Sequence, residues 1–232
     1  MSKPVVIITG AKGNLGKATV RQFIEEGYHV VATVSSGNSL GYLQDHPALT
    51  VFPVNVLDAD QSAQLVKEVT HRFGEIHSVF MLVGTYISGT FEETGLDALD
   101  KMINMNFKSA YTIAQPAFRQ MMKQKSGGRL VFIGARPAIQ PEEARTAVAY
   151  ALSKSLLFRL AESINAESRG RNIAAHVIIP SIIDTEVNRA SQPEADYSNW
   201  VKPEELADVM LYTASGKGAA LRETVLKVYG NA

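Results

Sequence analysis

A phenol and an ammonium stand four residues apart in the run Ala149-Tyr-Ala-Leu-Ser-Lys154, and on a helix that step stacks both on one face. A free phenol has a pKa of about 10, so near neutrality it exchanges protons poorly unless a nearby cation favours phenolate. Lys154 is spaced to supply that charge, which makes Tyr150 a candidate proton donor. The plainer reading packs Tyr150 into a core and lets Lys154 snorkel into water; the rest of the chain argues against it. Near the N-terminus the apolar, β-branched run Pro4-Val-Val-Ile-Ile8 gives way, at Thr9-Gly-Ala-Lys-Gly-Asn-Leu-Gly16, to glycines and then to a helical pattern. Gly10 permits the turn, Gly13 lets backbone approach a pyrophosphate, and Gly16 allows close helix-to-strand packing, with the phosphates facing the unpaired N–H groups of the helix start. The ligand implied is a dinucleotide. Three glycines at this spacing also suit an ordinary strand-to-helix turn, and their place at the opening of the first βαβ unit is what favours the nucleotide.

The elements that must position these groups follow from periodicity. Short apolar runs alternate with longer segments of helical period, the pattern of βαβ units on a parallel sheet. Seven strands are expected at Val5–Ile8, Val30–Val34, Val51–Val54, Val79–Val83, Leu130–Ile133, Ala174–Ile179 and Val225–Val228. Helices are expected at Leu15–Glu26, Gln61–Phe73, Leu96–Gln124, Ala147–Glu167 and Glu204–Ser215, the third bent at Pro116. Between the second and third strands, Ser35-Ser-Gly-Asn-Ser-Leu-Gly41 reads as a loop where a crossover helix is reduced. The longest irregular stretch, 180–203, follows the carboxyl end of a strand, where open α/β sheets bind ligands, and reads as a substrate lid.

At 232 residues the chain can bury a substantial core as one domain, 1–232. Lysine plus arginine total 23 against 23 aspartate plus glutamate, so no electrostatic footprint for nucleic acid or an anionic membrane is present and a small-molecule substrate fits better. The absence of cysteine excludes disulfides, thiolate zinc sites and a cysteine nucleophile. His29, His46, His71, His77 and His176 lack ligand spacing, so no metal is expected. Met1-Ser-Lys-Pro4 leads straight into the first strand, leaving no room for a secretory signal, and no apolar stretch reaches membrane-span length; a cytoplasmic protein is expected.

With these elements in place the chain resembles the short-chain dehydrogenase/reductase family from its first strand almost to its C-terminus. The resemblance rests on Thr9–Gly16, Asn55-Val56 after the third strand, Asn106 in Met105-Asn-Phe107, Tyr150-x-x-x-Lys154, and Pro180-Ser-x-x-Asp-Thr185 after the sixth strand. It implies an α/β, single-domain Rossmann fold with a seven-stranded doubly wound parallel sheet and helices on both faces, a nicotinamide cofactor and hydride transfer. Carried over by position, Tyr150 is the general acid/base, Lys154 binds the nicotinamide ribose and stabilises phenolate, and Asn106 holds a water in a proton relay. Gly10, Lys12, Gly13, Asn14, Leu15, Gly16, Ser35, Asn55, Val56, Gly84, Pro180, Ile183 and Thr185 are the implied cofactor contacts, Asn55 standing where the family usually has an aspartate at the adenine. A plain turn role suits Asn55 equally, and a capping or kinking role suits Asn106. A homodimer or homotetramer is implied as well, with Met102, Met105, Met121 and Met122 on the long helix that often meets a second subunit; core packing is their simpler reading.

The departures are as informative as the matches. Where the family places a catalytic serine, about thirteen residues before the tyrosine, this chain reads Ile133-Gly-Ala-Arg-Pro137. Thr146 and Ser153 lie too close to Tyr150 along the helix to substitute, so Arg136 is a candidate partner for the substrate, against its reading as a solvent-facing arginine. Met81-Leu-Val-Gly84 keeps the family's glycine but not its asparagines, and Asn14 occupies the place of the commonest motif's middle glycine. Gly134-Ala-Arg-Pro-Ala138 and the stretch Asp184 to Trp200 resemble dihydropteridine reductase and its bacterial relatives, which use tyrosine and lysine without the serine. A quinonoid ring needing hydride and proton is one acceptor this suggests, a quinone or carbonyl another. Tyr86, Tyr197 and Trp200 are further substrate candidates, the last two weighed against anchoring the lid. No carboxylate follows the second strand at Thr33-Val-Ser-Ser-Gly37, and Lys12 inside the glycine turn is a candidate partner for a 2′-phosphate against its reading as a solvated surface lysine, which slightly favours NADP over NAD. The missing serine also suggests an alternative, a non-catalytic NAD(P)-binding module.

Overall fold

The computed structural model describes residues 3–37, 39–43 and 46–231. Seven strands, β1 (Val5–Thr9), β2 (His29–Val34), β3 (Leu49–Pro53), β4 (Ser78–Met81), β5 (Gly128–Ile133), β6 (Ile173–Pro180) and β7 (Val225–Val228), form one parallel sheet in the order β3-β2-β1-β4-β5-β6-β7. All seven expected strands are present. The helices are α1 (Asn14–Glu25), α2 (Ala59–Phe73), α3 (Leu96–Met102), α4 (Ser109–Met121), α5 (Pro141–Ala144), α6 (Val148–Glu167), α7 (Glu186–Ser191) and α8 (Pro203–Ala214).

Strands of a parallel sheet covered on both faces read as unbroken apolar runs, because successive side chains alternate between two interiors. Val5, Ile7, Leu130, Phe132 and Val177 point to one core, where α2, α4 and α6 contribute Leu65, Val69, Ile113, Ala117, Leu157 and Ala161. Val6, Ile8, Phe80, Val131 and Ile178 point to the other, closed by Val20 and Phe23 of α1 and Leu206 and Met210 of α8. The order reverses between β1 and β4, so the connections leaving these two neighbours diverge at their carboxyl ends and open a crevice there.

Two local expectations change and a third, the loop after β2, is met among the described residues. The long helix at 96–124 is not one α-helix: α3 and α4 are joined by a π-helical turn, Ile103–Lys108, and Pro116 lies inside α4. Between β2 and β3 no helix forms among the described residues; Asn38, Gln44 and Asp45 lie outside them. The stretch 180–203 is more regular than expected, holding α7, a 3-10 turn at Tyr197–Asn199 and a bridge from Ile183 to Val201.

Candidate active site

Gly10 sits at φ 68°, in the left-handed region that favours glycine, and a side chain there would meet the Leu82 carbonyl carbon and Val83 nitrogen at 3.1 Å. The turn is therefore pressed against the end of β4, to which Thr9 also ties it: its Oγ1 accepts from the Leu82 N–H at 3.1 Å. Gly16 is tighter still, a Cβ there falling 2.3 Å from the Gly10 carbonyl oxygen. α1 thus begins directly over the strand end, and its N-terminal Gly13 supplies no side-chain cap. Uncapped N–H groups at a helix start suit a phosphate group. Lys12 Nζ reaches the Ser36 carbonyl at 3.4 Å, which places a lysine beside the exposed Ser35-Ser36-Gly37 segment after β2. Tyr42, which sequence reasoning passed over, closes the same turn by donating to the Ala11 carbonyl at 3.0 Å, with Lys17 and Arg21 over its ring.

On the other side of the crevice α6 carries Tyr150 and Lys154. Lys154 is buried and donates from Nζ to the Ile133 carbonyl at 2.7 Å, anchoring it to the end of β5. Burial pulls its pKa down to about 8. Tyr150 lies with its ring centroid 5.9 Å from Lys154 Nζ and 5.0 Å from the ring of Tyr86, which meets it edge-on. Its pKa is pushed up to about 12, first by burial and then by Tyr86. Desolvation and the neighbouring Tyr86 thus shift the phenol in the direction opposite to the one a nearby cation favours.

A clamp beneath the pair explains its fixed position. Asn106, in the π-helical turn and 1% exposed, accepts from the Thr85 N–H through Oδ1 at 2.8 Å and donates through Nδ2 to the Thr85 carbonyl at 3.0 Å and to Ser153 Oγ at 2.9 Å. Ser153 in turn donates to the Tyr150 carbonyl at 2.7 Å. Both amide N–H groups are thereby engaged while Oδ1 keeps one lone pair, so the side chain locks the Thr85 peptide to α6 and retains one acceptor position. Gly84 belongs to the same lock. A Cβ on it would stand 2.8 Å from Asn106 Oδ1 and 3.3 Å from Lys154 Nζ, so glycine is required there by the protein's own side chains. The clamp itself was not legible in the sequence, since Thr85, Asn106 and Ser153 come from three separate elements.

The remaining candidates divide. Tyr86, 57% exposed, is brought to Tyr150. Arg136 is engaged within the protein through one of its five N–H donors: its Nε pairs with Glu143 at 3.1 Å and its guanidinium lies 5.7 Å over the Tyr229 ring. Tyr197 and Trp200 pack on each other at 4.8 Å, Tyr197 donating to the Pro193 carbonyl at 3.0 Å while Trp200 is buried, so both anchor the segment as a unit. Asn55 takes the turn role, its Oδ1 accepting from the Leu57 N–H at 3.1 Å, and it lies on the surface beside the buried Val56. Pro180 ends β6, Ile183 bridges to Val201, and Thr185 caps α7 by accepting from the Asn188 N–H at 3.2 Å. Met102 and Met121 are fully buried, the core role. No group of metal-ligating side chains occurs among the described residues.

Residues 4–196 match the family model described as short chain dehydrogenase. Among curated proteins, the 3-oxoacyl-(acyl-carrier-protein) reductase FabG of Thermotoga maritima is 27% identical over 239 residues, spanning 97% of this chain and 96% of that protein. The cyclic-di-GMP-binding biofilm dispersal mediator protein of Escherichia coli (strain K12) is 29% identical over 221 residues, with 91% and 89% covered. Among solved structures, a short-chain dehydrogenase/reductase from Serratia marcescens superposes with a TM-score of 0.80 at 24% identity, covering 99% of this chain and 97% of that one. ElxO with NADP bound gives 0.89 at 21%, with 98% of each chain covered. The fold agrees throughout, the glycine turn, the clamp and the Tyr150–Lys154 pair lie inside the matched span, and the chain belongs to the short chain dehydrogenase family of NAD(P)-dependent oxidoreductases.

Proposed function

We propose that this protein is an NAD(P)H-dependent reductase in which Tyr150 delivers a proton to a flat, conjugated acceptor of the quinonoid dihydropteridine or quinone type. The observation that carries the reading is the pairing of a neutral, high-pKa phenol with an exposed aromatic ring, Tyr86, at a strand end that offers no serine. A bound dihydronicotinamide supplies the hydride. Gly10, Gly13 and Gly16 with the N–H groups of Asn14 and Leu15 receive its pyrophosphate, Lys12 and Ser35 its adenosine end, and Gly84, Pro180, Ile183 and Thr185 flank its nicotinamide half, with Asn55 and Val56 toward the adenine. Lys154 holds a positive charge at the base of the crevice as the Tyr150 proton leaves, and Asn106 with Ser153 keeps the two side chains in register. An acceptor that becomes aromatic or enolic on reduction needs a proton more than it needs an oxyanion donor, which accommodates a site whose strand end reads Gly134-Ala135-Arg136.

Lys12 beside a carboxylate-free segment after β2 supports NADP over NAD. The chain reads as one domain with residues 180–203 as its lid, and as a homodimer or homotetramer acting on a small molecule. A carbonyl substrate is the second reading, favoured by relatives whose names are those of a 3-oxoacyl-(acyl-carrier-protein) reductase and an acetoacetyl-CoA reductase. A non-catalytic nucleotide-binding module is disfavoured by the same relatives and by the intact Tyr150–Lys154 geometry. The test is NADPH and NADH oxidation against quinonoid dihydropterins, quinones and 3-keto thioesters. Turnover confined to the keto thioesters overturns the conjugated-acceptor reading; nucleotide binding without turnover on any member of the panel overturns the enzyme itself.

A further inference from the structure

The crevice lies at the carboxyl ends of the strands. At their amino ends, where β5, β6 and β7 begin, a second polar cavity of about 400 Å³ is lined by Glu162, Asn165, Ser168, Arg169, Arg171 and Arg222. Its charge is one-sided. Glu162 is engaged by Arg159 at 2.7 Å, whereas among the described residues no carboxylate stands within ion-pair distance of Arg169, Arg171 or Arg222.

Behind these lies a further cation. Arg129 is 6% exposed, and its guanidinium is met only by neutral acceptors: the carbonyls of Gly128 at 3.0 Å, Asn172 at 2.9 Å and Ala219 at 3.2 Å, and Asn172 Oδ1 at 3.1 Å. Arg222 donates to the same Ala219 carbonyl at 2.7 Å. Two guanidiniums thus share one acceptor with no carboxylate within ion-pair distance of either among the described residues, and a buried charge without a paired counter-charge raises the local potential. Ser168 adds an independent mark. It lines the cavity, is 2% exposed, and its Oγ has no hydrogen-bond partner. Buried hydroxyls ordinarily find one.

We infer that this cavity binds a phosphate-bearing small molecule at a site separate from the nucleotide crevice. Forked guanidiniums from two loops, the one after α6 and the one before β7, converge on one volume, and such forks bind tetrahedral oxyanions through paired N–H donors. Arg171 and Arg222 are the principal contacts, and the field of Arg129 strengthens them from behind.

The experiment is isothermal titration with pyrophosphate in a chloride buffer of low ionic strength, run on protein saturated with NADP and repeated on Lys12→Gln. Saturable one-site binding is expected in both, and Arg171→Gln/Arg222→Gln is expected to weaken it by about tenfold or more. Arg171→Lys/Arg222→Lys should recover part of the loss. Circular dichroism and NADPH fluorescence unchanged in the double glutamine variant establish that the fold and crevice are intact. No saturable heat in the wild type, or pyrophosphate binding that survives the double glutamine variant while Lys12→Gln removes it, overturns the inference.

Discussion

Because Tyr150 must be protonated to act as an acid and its pKa is held near 12, its own ionisation stays silent across the working pH range. Lys154, brought to about 8, is the group that titrates there. A reductive rate that depends on the ammonium is present below that pKa and lost as pH rises through it. A plot of kcat/KM against pH should therefore be flat below about pH 8 and fall above it with a one-proton slope, a limb absent from Lys154→Met. Tyr150→Phe should lower kcat by about 10²- to 10⁴-fold with NADPH affinity unchanged in a fluorescence titration. Buried Lys154 also sets a stability term. Its folded pKa lies below the unfolded value, so the cationic form is disfavoured in the native state below pH 8, and that cost fades as pH rises from about 8 to about 10.5. Relative to wild type, Lys154→Met should gain up to about 3 kcal/mol at pH 7 in urea unfolding and little at pH 10. The Tyr-x-x-x-Lys spacing gave both residues and their shared face. The direction of the phenol's shift was not legible, because the Ile133 carbonyl that takes the ammonium comes from a strand seventeen residues before Tyr150.

The elements that aim this pair meet at one clamp. α6 crosses the π-helical turn so that Ser153 and Asn106 join, and from that turn the buried Asn106 amide reaches back to Thr85. Ser153→Ala would leave an Asn106 N–H without its acceptor and should cost about 1–3 kcal/mol in denaturant unfolding. Gly84→Ala has a sharper signature: its methyl must displace Asn106 Oδ1 and Lys154 Nζ, so about 1–3 kcal/mol of stability should be lost together with the pH limb, while pyrophosphate-end contacts at Gly10–Gly16 still bind nucleotide. The strands and most helices were readable from apolar runs and period. The π-helical turn was not, since Ile103-Asn-Met-Asn-Phe-Lys108 carries no breaker, whereas Pro116, the visible breaker, sits within a continuing helix.

For the whole molecule, the crevice joins elements from both halves of the sheet, so a ligand bound in it holds β1, β4, β5 and α6 together. NADPH at about 100 times its dissociation constant should add about 2.7 kcal/mol and raise Tm by roughly 5–10 °C, more than NADH at equal concentration if Lys12 meets the 2′-phosphate. Lys12→Gln should remove that difference and leave the NADH shift unaltered. The sequence by itself determined the unbroken apolar strands, the glycine turn and the Tyr150–Lys154 step, because each is a local pattern of side-chain size and period within one element. Only the tertiary structure decided which candidates are free to act. Arg136 Nε pairs with Glu143, Tyr197 and Trp200 pack on each other, both N–H groups of the Asn106 amide go to Thr85 and Ser153, and Tyr86 lies exposed beside Tyr150. The reason is that hydrogen-bond capacity and exposure depend on neighbours from distant segments, and no spacing along the chain records whether a side chain's partner is already taken.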